Sequence, residues 1–180
     1  MLITGAAGGI GRATVAHFAE KGWRVIGVDR ADFREGFPDN GLFIRSDISL
    51  PEEMHAIFEK THAFTENLDA LVNNAALQIA KPLIDTSVEE WDAVMASNLR
   101  SVFLGVKLAH PDRTVVGLSG DGGSMYTFQA LWTAAHEHIA TKFVVCNNHS
   151  YRLLKQNLLD YWRDRGLDPG DFPASPPTAR

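Results

Sequence analysis

Thr4-Gly5-Ala6-Ala7-Gly8-Gly9-Ile10-Gly11 decides the fold. The apolar residues Met1-Leu2-Ile3 stand before it. An amphipathic stretch over 10–21, with Val15, Phe18 and Ala19 on one face, follows it. The segment reads as strand, glycine turn, helix. Glycines serve where a chain turns tightly and where its backbone must approach a ligand closely. A helix start offers unanswered N–H groups and the positive end of its dipole. A strand running through such a loop into a helix is a seat for a pyrophosphate. The alternative is an ordinary tight turn, and what else the chain carries decides between them.

Outward from the loop, short β-branched runs alternate with amphipathic segments, which points to βαβ units on a parallel sheet. Strands are expected over 1–4, 24–28, 42–46, 68–72, 114–118 and 142–146. The first starts at Met1, so a short central strand is expected. Ser49-Leu50-Pro51-Glu52 has the spacing of a capping box, with Met54, Ile57 and Phe58 turned inward. Ser87-Val88-Glu89-Glu90 is a second box, opening one long helix that carries Trp91, Val94, Met95, Val102, Val106 and Ala109. A further helix spans 124–138, with Trp132 and Ala135 on its apolar side. Ser150 can cap a last helix ending near Gly166, before Asp168-Pro169. The expected fold is α/β: a Rossmann-like, three-layer, doubly wound parallel sheet of about six strands in the order 3-2-1-4-5-6. One domain is expected over 1–170, with a frayed, proline-rich tail over 171–180.

Composition narrows the function. A net charge of −5 argues against a nucleic-acid footprint. No apolar run is long enough to span a membrane, and no signal-peptide pattern precedes the first strand. A cytoplasmic protein is expected. The single cysteine, Cys146, excludes an intrachain disulfide and reads, within Phe143-Val144-Val145-Cys146, as a buried, inert thiol. The seven histidines form no ligand cluster, so zinc is not expected.

Further residues favour the pyrophosphate reading of the loop. Asp29 ends the second strand, where a carboxylate can accept hydrogen bonds from the adenosine ribose. A 2′-phosphate would meet its charge there, which favours NAD(H) over NADP(H), although Arg30 is adjacent. Taken in order, Thr4, Gly5, Gly9, Ile10 and Gly11, then Asp29, Asp47-Ile48, Asn73-Asn74-Ala75-Ala76 and Asn98 resemble the short-chain dehydrogenase/reductase family over roughly 1–109. The resemblance implies that Asp47 and Ile48 hold the adenine. It implies that Asn74, Ala75 and Ala76 steady the central sheet and line the cofactor, and that Asn98 holds a water of the proton relay within a catalytic tetrad. It also implies a small carbonyl or alcohol substrate and pairing of the long helices in a homo-oligomer.

That family places a serine and a Tyr-x-x-x-Lys after the fifth strand. Here Ser119 lies near the serine position, and Tyr126 is followed four residues on by Ala130. The pair Tyr151 and Lys155 has the required spacing on one helix face but comes one βα unit late. The alternative is a half-buried aromatic and a solvated lysine. Ser119, Tyr151 and Lys155 are candidate catalytic residues beside Asn98.

From Pro111 to Pro173 the chain resembles another family: the cofactor-binding domain of thiamine-diphosphate enzymes of the benzoylformate decarboxylase and acetolactate synthase type. Gly120-Asp121-Gly122 and Asn147-Asn148 carry the likeness. It implies a Mg2+ held by Asp121, the Asn148 side chain and the Ser150 carbonyl, hard oxygen ligands of the kind Mg2+ takes. The alternative for these residues is a turn and a cap. No domain supplies the glutamate that would activate thiamine diphosphate, so that cofactor is not expected to function. The chain reads as a fusion with its seam near His110-Pro111, where each βα unit stays whole. The leading expectation is an NAD(H)-dependent oxidoreductase with an incomplete or rebuilt catalytic set. The alternatives are a non-catalytic nucleotide binder and a Mg2+/diphosphate catalyst.

Overall fold

The computed structural model describes residues 1–109, 115–120, 132, 135–136, 141–146 and 152–168. The chain divides into two compact units, Met1–Arg113 and Thr114–Arg180. The division falls close to the seam read from the sequence.

In the first unit, β1 (Leu2–Thr4), β2 (Ile26–Asp29), β3 (Leu42–Arg45) and β4 (Leu71–Val72) form a parallel sheet in the order β3-β2-β1-β4. Leu2 pairs with Ile26 on one side and Leu71 on the other, so β1 is central. Side chains alternate across the sheet, and both faces are apolar because both are covered. Leu2, Ile26, Val28 and Ile44 face α2 (Pro51–Phe64), whose Met54, Ile57 and Phe58 are buried against them, with Leu104 and Leu108 of α4 (Ser101–Ala109) alongside. Met1, Ile3 and Val25 face the other way, onto Val15 and Phe18 of α1 (Gly9–Glu20) and the aromatic group Phe33, Phe37 and Phe43. Helices on both faces give the three expected layers. Each fully buried Leu or Ile here contributes about 1.5–3 kcal/mol of transfer free energy.

Local signals set the helix ends. α1 stops where Trp23 N–H donates to Phe18 O (3.0 Å) and Gly22 N–H to Ala19 O (2.9 Å). The Phe18 and Trp23 rings close the motif edge to face at 5.4 Å. The expected box at Ser49 does not form. Leu50 stands at the N-cap without a side-chain bond, Pro51 begins the helix, and Ser49 N–H donates to Asp47 Oδ1 at 2.9 Å. Asp47 engages Ser49 in an Asx-type turn, and the helix start moves one residue on. The box at Ser87 does form: Glu90 N–H donates to Ser87 Oγ (3.2 Å) and Ser87 N–H to Glu90 Oε2 (2.9 Å). The helix it opens is not uniform. α3 (Val88–Met95) passes through a π-helical turn, Ala96–Arg100, into α4.

In the second unit, β5 (Val115–Gly120) and β6 (Thr141–Cys146) pair in parallel, from Val115↔Thr141 to Gly120↔Cys146. Helix α5 (Arg152–Asp164) ends as expected at Gly166, with Leu167 N–H donating to Trp162 O at 2.9 Å. Among the described residues the strands lie in a sheet of four in the first unit and a sheet of two in the second. The expected order 3-2-1-4 is present. β4 is shorter than its apolar run suggests: Leu68 turns into the core, and only Leu71 and Val72 meet β1. Two further expectations change. Cys146 is exposed, as are Val144 and Val145 before it, so an apolar run on a strand bonded, among the described residues, to a single neighbour does not secure burial. Trp132 and Ala135 are also exposed, and the Trp132 ring stacks on His136 at 4.8 Å.

Candidate functional site: the cleft above the central strands

At the carboxyl ends of β1, β2 and β3 lies a cleft of about 480 Å³, within the ~300–1,000 Å³ usual for ligand sites. Its floor is the glycine loop. Gly5 has φ +68°, and a Cβ there would lie 2.9 Å from Ala75 Cα. A Cβ on Gly11 would lie 2.0 Å from Gly5 O, so only glycine lets α1 start this close to β1. Gly9 faces open space. The Gly8 cap has no side chain to bond the first helical turn, and that turn holds no acidic residue. N–H donors and the positive helix end are therefore left to whatever enters the cleft.

Asp29 stands at the end of β2. Its Oδ2 accepts from Ala7 N–H and its Oδ1 from Ala31 N–H, each at 2.9 Å. The carboxylate thus ties the glycine loop to the β2 turn. Each oxygen keeps a lone pair for a further donor. Beyond it, Asp47 and Ile48 follow β3. Partial burial pushes the Asp47 carboxyl up, but hydrogen bonds from Ser49 and the charge of Arg30, 3.6 Å away, outweigh that and hold it below the usual range. Ile48 is buried in the core and also lines the cleft.

The opposite wall comes from the segment after β4. Thr4 Oγ1 accepts from Asn74 N–H (3.2 Å) and Ala75 N–H (3.1 Å). Asn74 Nδ2 donates to Thr4 O (3.0 Å) and Gly5 O (3.2 Å). The glycine loop and the 73–76 turn are thereby one hydrogen-bonded piece. Asn98 sits in the π turn and pairs with Leu77 twice: Leu77 N–H donates to Asn98 Oδ1 (2.7 Å) and Asn98 Nδ2 to Leu77 O (2.8 Å). From the same turn, Arg100 donates to Ser49 O at 2.8 Å. One irregular turn braces both the Leu77 segment and the loop after Asp47.

The structure therefore brings Gly5, Gly9, Ile10, Gly11, Asp29, Asp47, Ile48, Asn74, Ala75 and Ala76 to one cleft, with Thr4 beneath it. Sequence reasoning missed Ser46 and Ser97, which also line it. Ser46 could have been found, since it follows a strand at the carboxyl edge of a parallel sheet, where ligands bind. The other candidates fall in both units. Asn98 belongs to the first unit; Ser119, on β5, and Lys155, half-buried on α5, belong to the second. Tyr151, Tyr126, Asp121, Asn148 and Ser150 lie outside the described residues. Among the described residues no group of His, Cys, Asp or Glu could hold a metal ion, and no helix is long and apolar enough to cross a membrane.

Comparison with known proteins gives two family matches. Residues 1–125 match the family described as short chain dehydrogenase. Residues 96–177 match that of the C-terminal TPP binding domain of thiamine pyrophosphate enzymes. One match for each half is what a fusion would produce. An uncharacterized oxidoreductase of Schizosaccharomyces pombe is 34% identical over 125 residues, 69% of this chain and 47% of that protein. The chain spans about half the length of such curated relatives. Among solved structures, a metagenomic short-chain oxidoreductase in complex with NADP aligns with a TM-score of 0.65 at 23% identity, covering 86% of this chain and 83% of its own. A 3-ketoacyl-(acyl-carrier-protein) reductase from Brucella melitensis, complexed with NADH, aligns at 0.61 and 23% identity, covering 81% and 73%. These two likenesses concern the fold.

Proposed function

Since the chain belongs to the short chain dehydrogenase family, we propose that its cleft binds NAD(H) and that the protein is an oxidoreductase acting on a small carbonyl or alcohol, with an incomplete or rebuilt catalytic set. The convergence of the glycine loop, Asp29, Asp47-Ile48 and the 74–76 turn on one cleft carries this reading. The residues suit a dinucleotide. Gly9 leaves room above the loop, the uncapped start of α1 suits a pyrophosphate, and Asp29 has lone pairs for ribose hydroxyls. When bound, the nicotinamide would supply a hydride donor or acceptor. This chain's own residues orient it and shape the surrounding polar field. Asn98 fixes the Leu77 segment and would hold a relay water beside it.

The charges favour NAD(H) over NADP(H). A 2′-phosphate would face the Asp29 carboxylate. Arg30, the adjacent cation, is turned to Asp47, and Arg45 to Asp32 at 3.5 Å and to Arg30 O. Fluorescence titration tests this directly. NADH is expected to bind at least about tenfold more tightly than NADPH, a difference of ~1.4 kcal/mol. Equal or reversed affinities would reject the assignment.

A second reading is nucleotide binding without turnover. It is favoured by the match of 96–177 to another family. NADH binding with no turnover across a carbonyl panel would select it. A third reading, a Mg2+ and diphosphate site at Asp121, Asn148 and Ser150, rests on that same match. Mg2+-dependent stabilisation abolished by Asp121→Ala would support it.

A homo-oligomer is part of the proposal. Leu99, Phe103 and Val106 leave an apolar strip on the π turn and α4, with Phe103 61% exposed, and a second copy would cover it.

A further inference from the structure

Glu53 does not line the cleft, yet it holds two residues that do. It is the third residue of α2. A carboxylate at that position ordinarily reaches back three residues to the cap. Here its Oε2 accepts from Asp47 N–H (2.5 Å) and from Ser46 Oγ (2.7 Å), six and seven residues back. Both donors belong to the loop that leaves β3 for the cleft. Asp47 then has its own carboxylate turned to Ser49 N–H and Arg30, and Arg100 holds Ser49 O from the other side.

We propose that Glu53 is the positioning residue of the adenine end of the cleft, fixing the Ser46–Ile48 backbone that an adenine ring would meet. This rests on the dinucleotide reading above and deepens it. The Ser46 hydroxyl bond first, and the Asp47 N–H bond second, hold the Glu53 carboxyl below its usual range, with Lys60 adding to them against the Asp47 charge. The bonds are thus made to the ionised form, and charge-assisted bonds of this kind are the stronger ones. Glu53 acts through the backbone, so its removal should be felt by the adenine half of a dinucleotide and not by the nicotinamide half.

The test titrates AMP, nicotinamide mononucleotide and NADH into the full chain, as wild type, Glu53→Ala and Glu53→Gln. Glu53→Ala is expected to weaken AMP and NADH by about tenfold and to leave the mononucleotide unchanged. Glu53→Gln keeps an acceptor oxygen and is expected to recover most of the loss. If Glu53→Ala does not fold, Ser46→Ala, which removes one donor, carries the test with a loss of about threefold. A residue that only caps α2 would lower the melting temperature and weaken both half-ligands equally or neither; that result overturns the proposal. Wild type binding NADH while Glu53→Ala, or Ser46→Ala in its place, binds AMP within twofold of wild type overturns the proposal alone. Wild type binding neither NADH nor AMP overturns the dinucleotide reading as well.

Discussion

At the scale of single residues, the cleft depends on side chains that do two things at once. Asp29 ties Ala7 and Ala31 and, in the proposed reading, would also offer charge to a ribose. Asp29→Ala is therefore expected to weaken NADH by at least about tenfold and to erase the preference over NADPH, read by the same titration. Asp47 and Glu53 both titrate below their usual ranges in the folded chain. Carboxyls depressed in this way add stability above their unfolded pKa of about 4 and lose it as pH falls through the folded value. Unfolding midpoints in urea should be flat from about pH 7 to 5 and fall below about pH 4.5, less steeply in Glu53→Gln. Thr61 makes a different case: it is fully buried in α2, and its hydroxyl oxygen has no partner among the described residues. Thr61→Val keeps the shape and removes that group, so it is expected to stabilise the chain by about 1 kcal/mol in denaturant unfolding. Asp29 was legible in the sequence because it ends a strand, and Asp47 through the family resemblance. Glu53 was not, because a carboxylate early in a helix reads as a cap, and nothing in its spacing says that it reaches past the cap to Asp47.

At the scale of elements, caps and turns set where the site's walls stand. The Ser87 box starts α3, and Lys81 bridges to its Glu90. Ser87→Ala is expected to cost about 1 kcal/mol of stability without changing nucleotide affinity, measured by unfolding and titration together. The two capping boxes have the same signature in sequence, and only one forms. Asp47 takes the Ser49 N–H in a local turn, and Pro51 brings a fixed φ to the first helical position. Such competition between nearby acceptors is invisible to spacing alone. The π turn was equally hidden. The apolar period from Trp91 to Ala109 is compatible with one helix, and the irregularity follows from tertiary bonds of Asn98 and Arg100 to segments far away in sequence.

At the scale of the whole chain, the order of elements was readable over the first unit, and the order of strands in the larger sheet with it; the helix expected over 124–138 and the tail over 171–180 fall largely outside the described residues. Burial in the second half was not, since Cys146 and Trp132 are apolar in context yet exposed. Burial depends on which neighbours cover a strand or helix, and a sequence carries that only indirectly. Two measurements act at this scale. Saturating the chain with NADH at about a hundred times its Kd should raise the unfolding free energy by ~2.7 kcal/mol, seen as a shift in melting temperature. Phe103→Glu places a charge on the exposed strip of α4 and is expected to dissociate a homo-oligomer in sedimentation, whereas a wild type already monomeric would remove the basis for one.

The irregular turn at Ala96–Arg100 also bears on how the chain can change length. A π turn absorbs one residue more than an α-helical path needs. Dropping a single residue there would leave an unbroken rod with Leu104 and Leu108 still pointing at the core, while Leu77 would lose its clasp. The same deletion elsewhere between Val88 and Ala109 would swing every later side chain by roughly 100°. Evolutionary or laboratory deletions of one residue in this stretch should thus be absorbed at that one spot, at the expense of the neighbouring cleft wall and not of the hydrophobic interior.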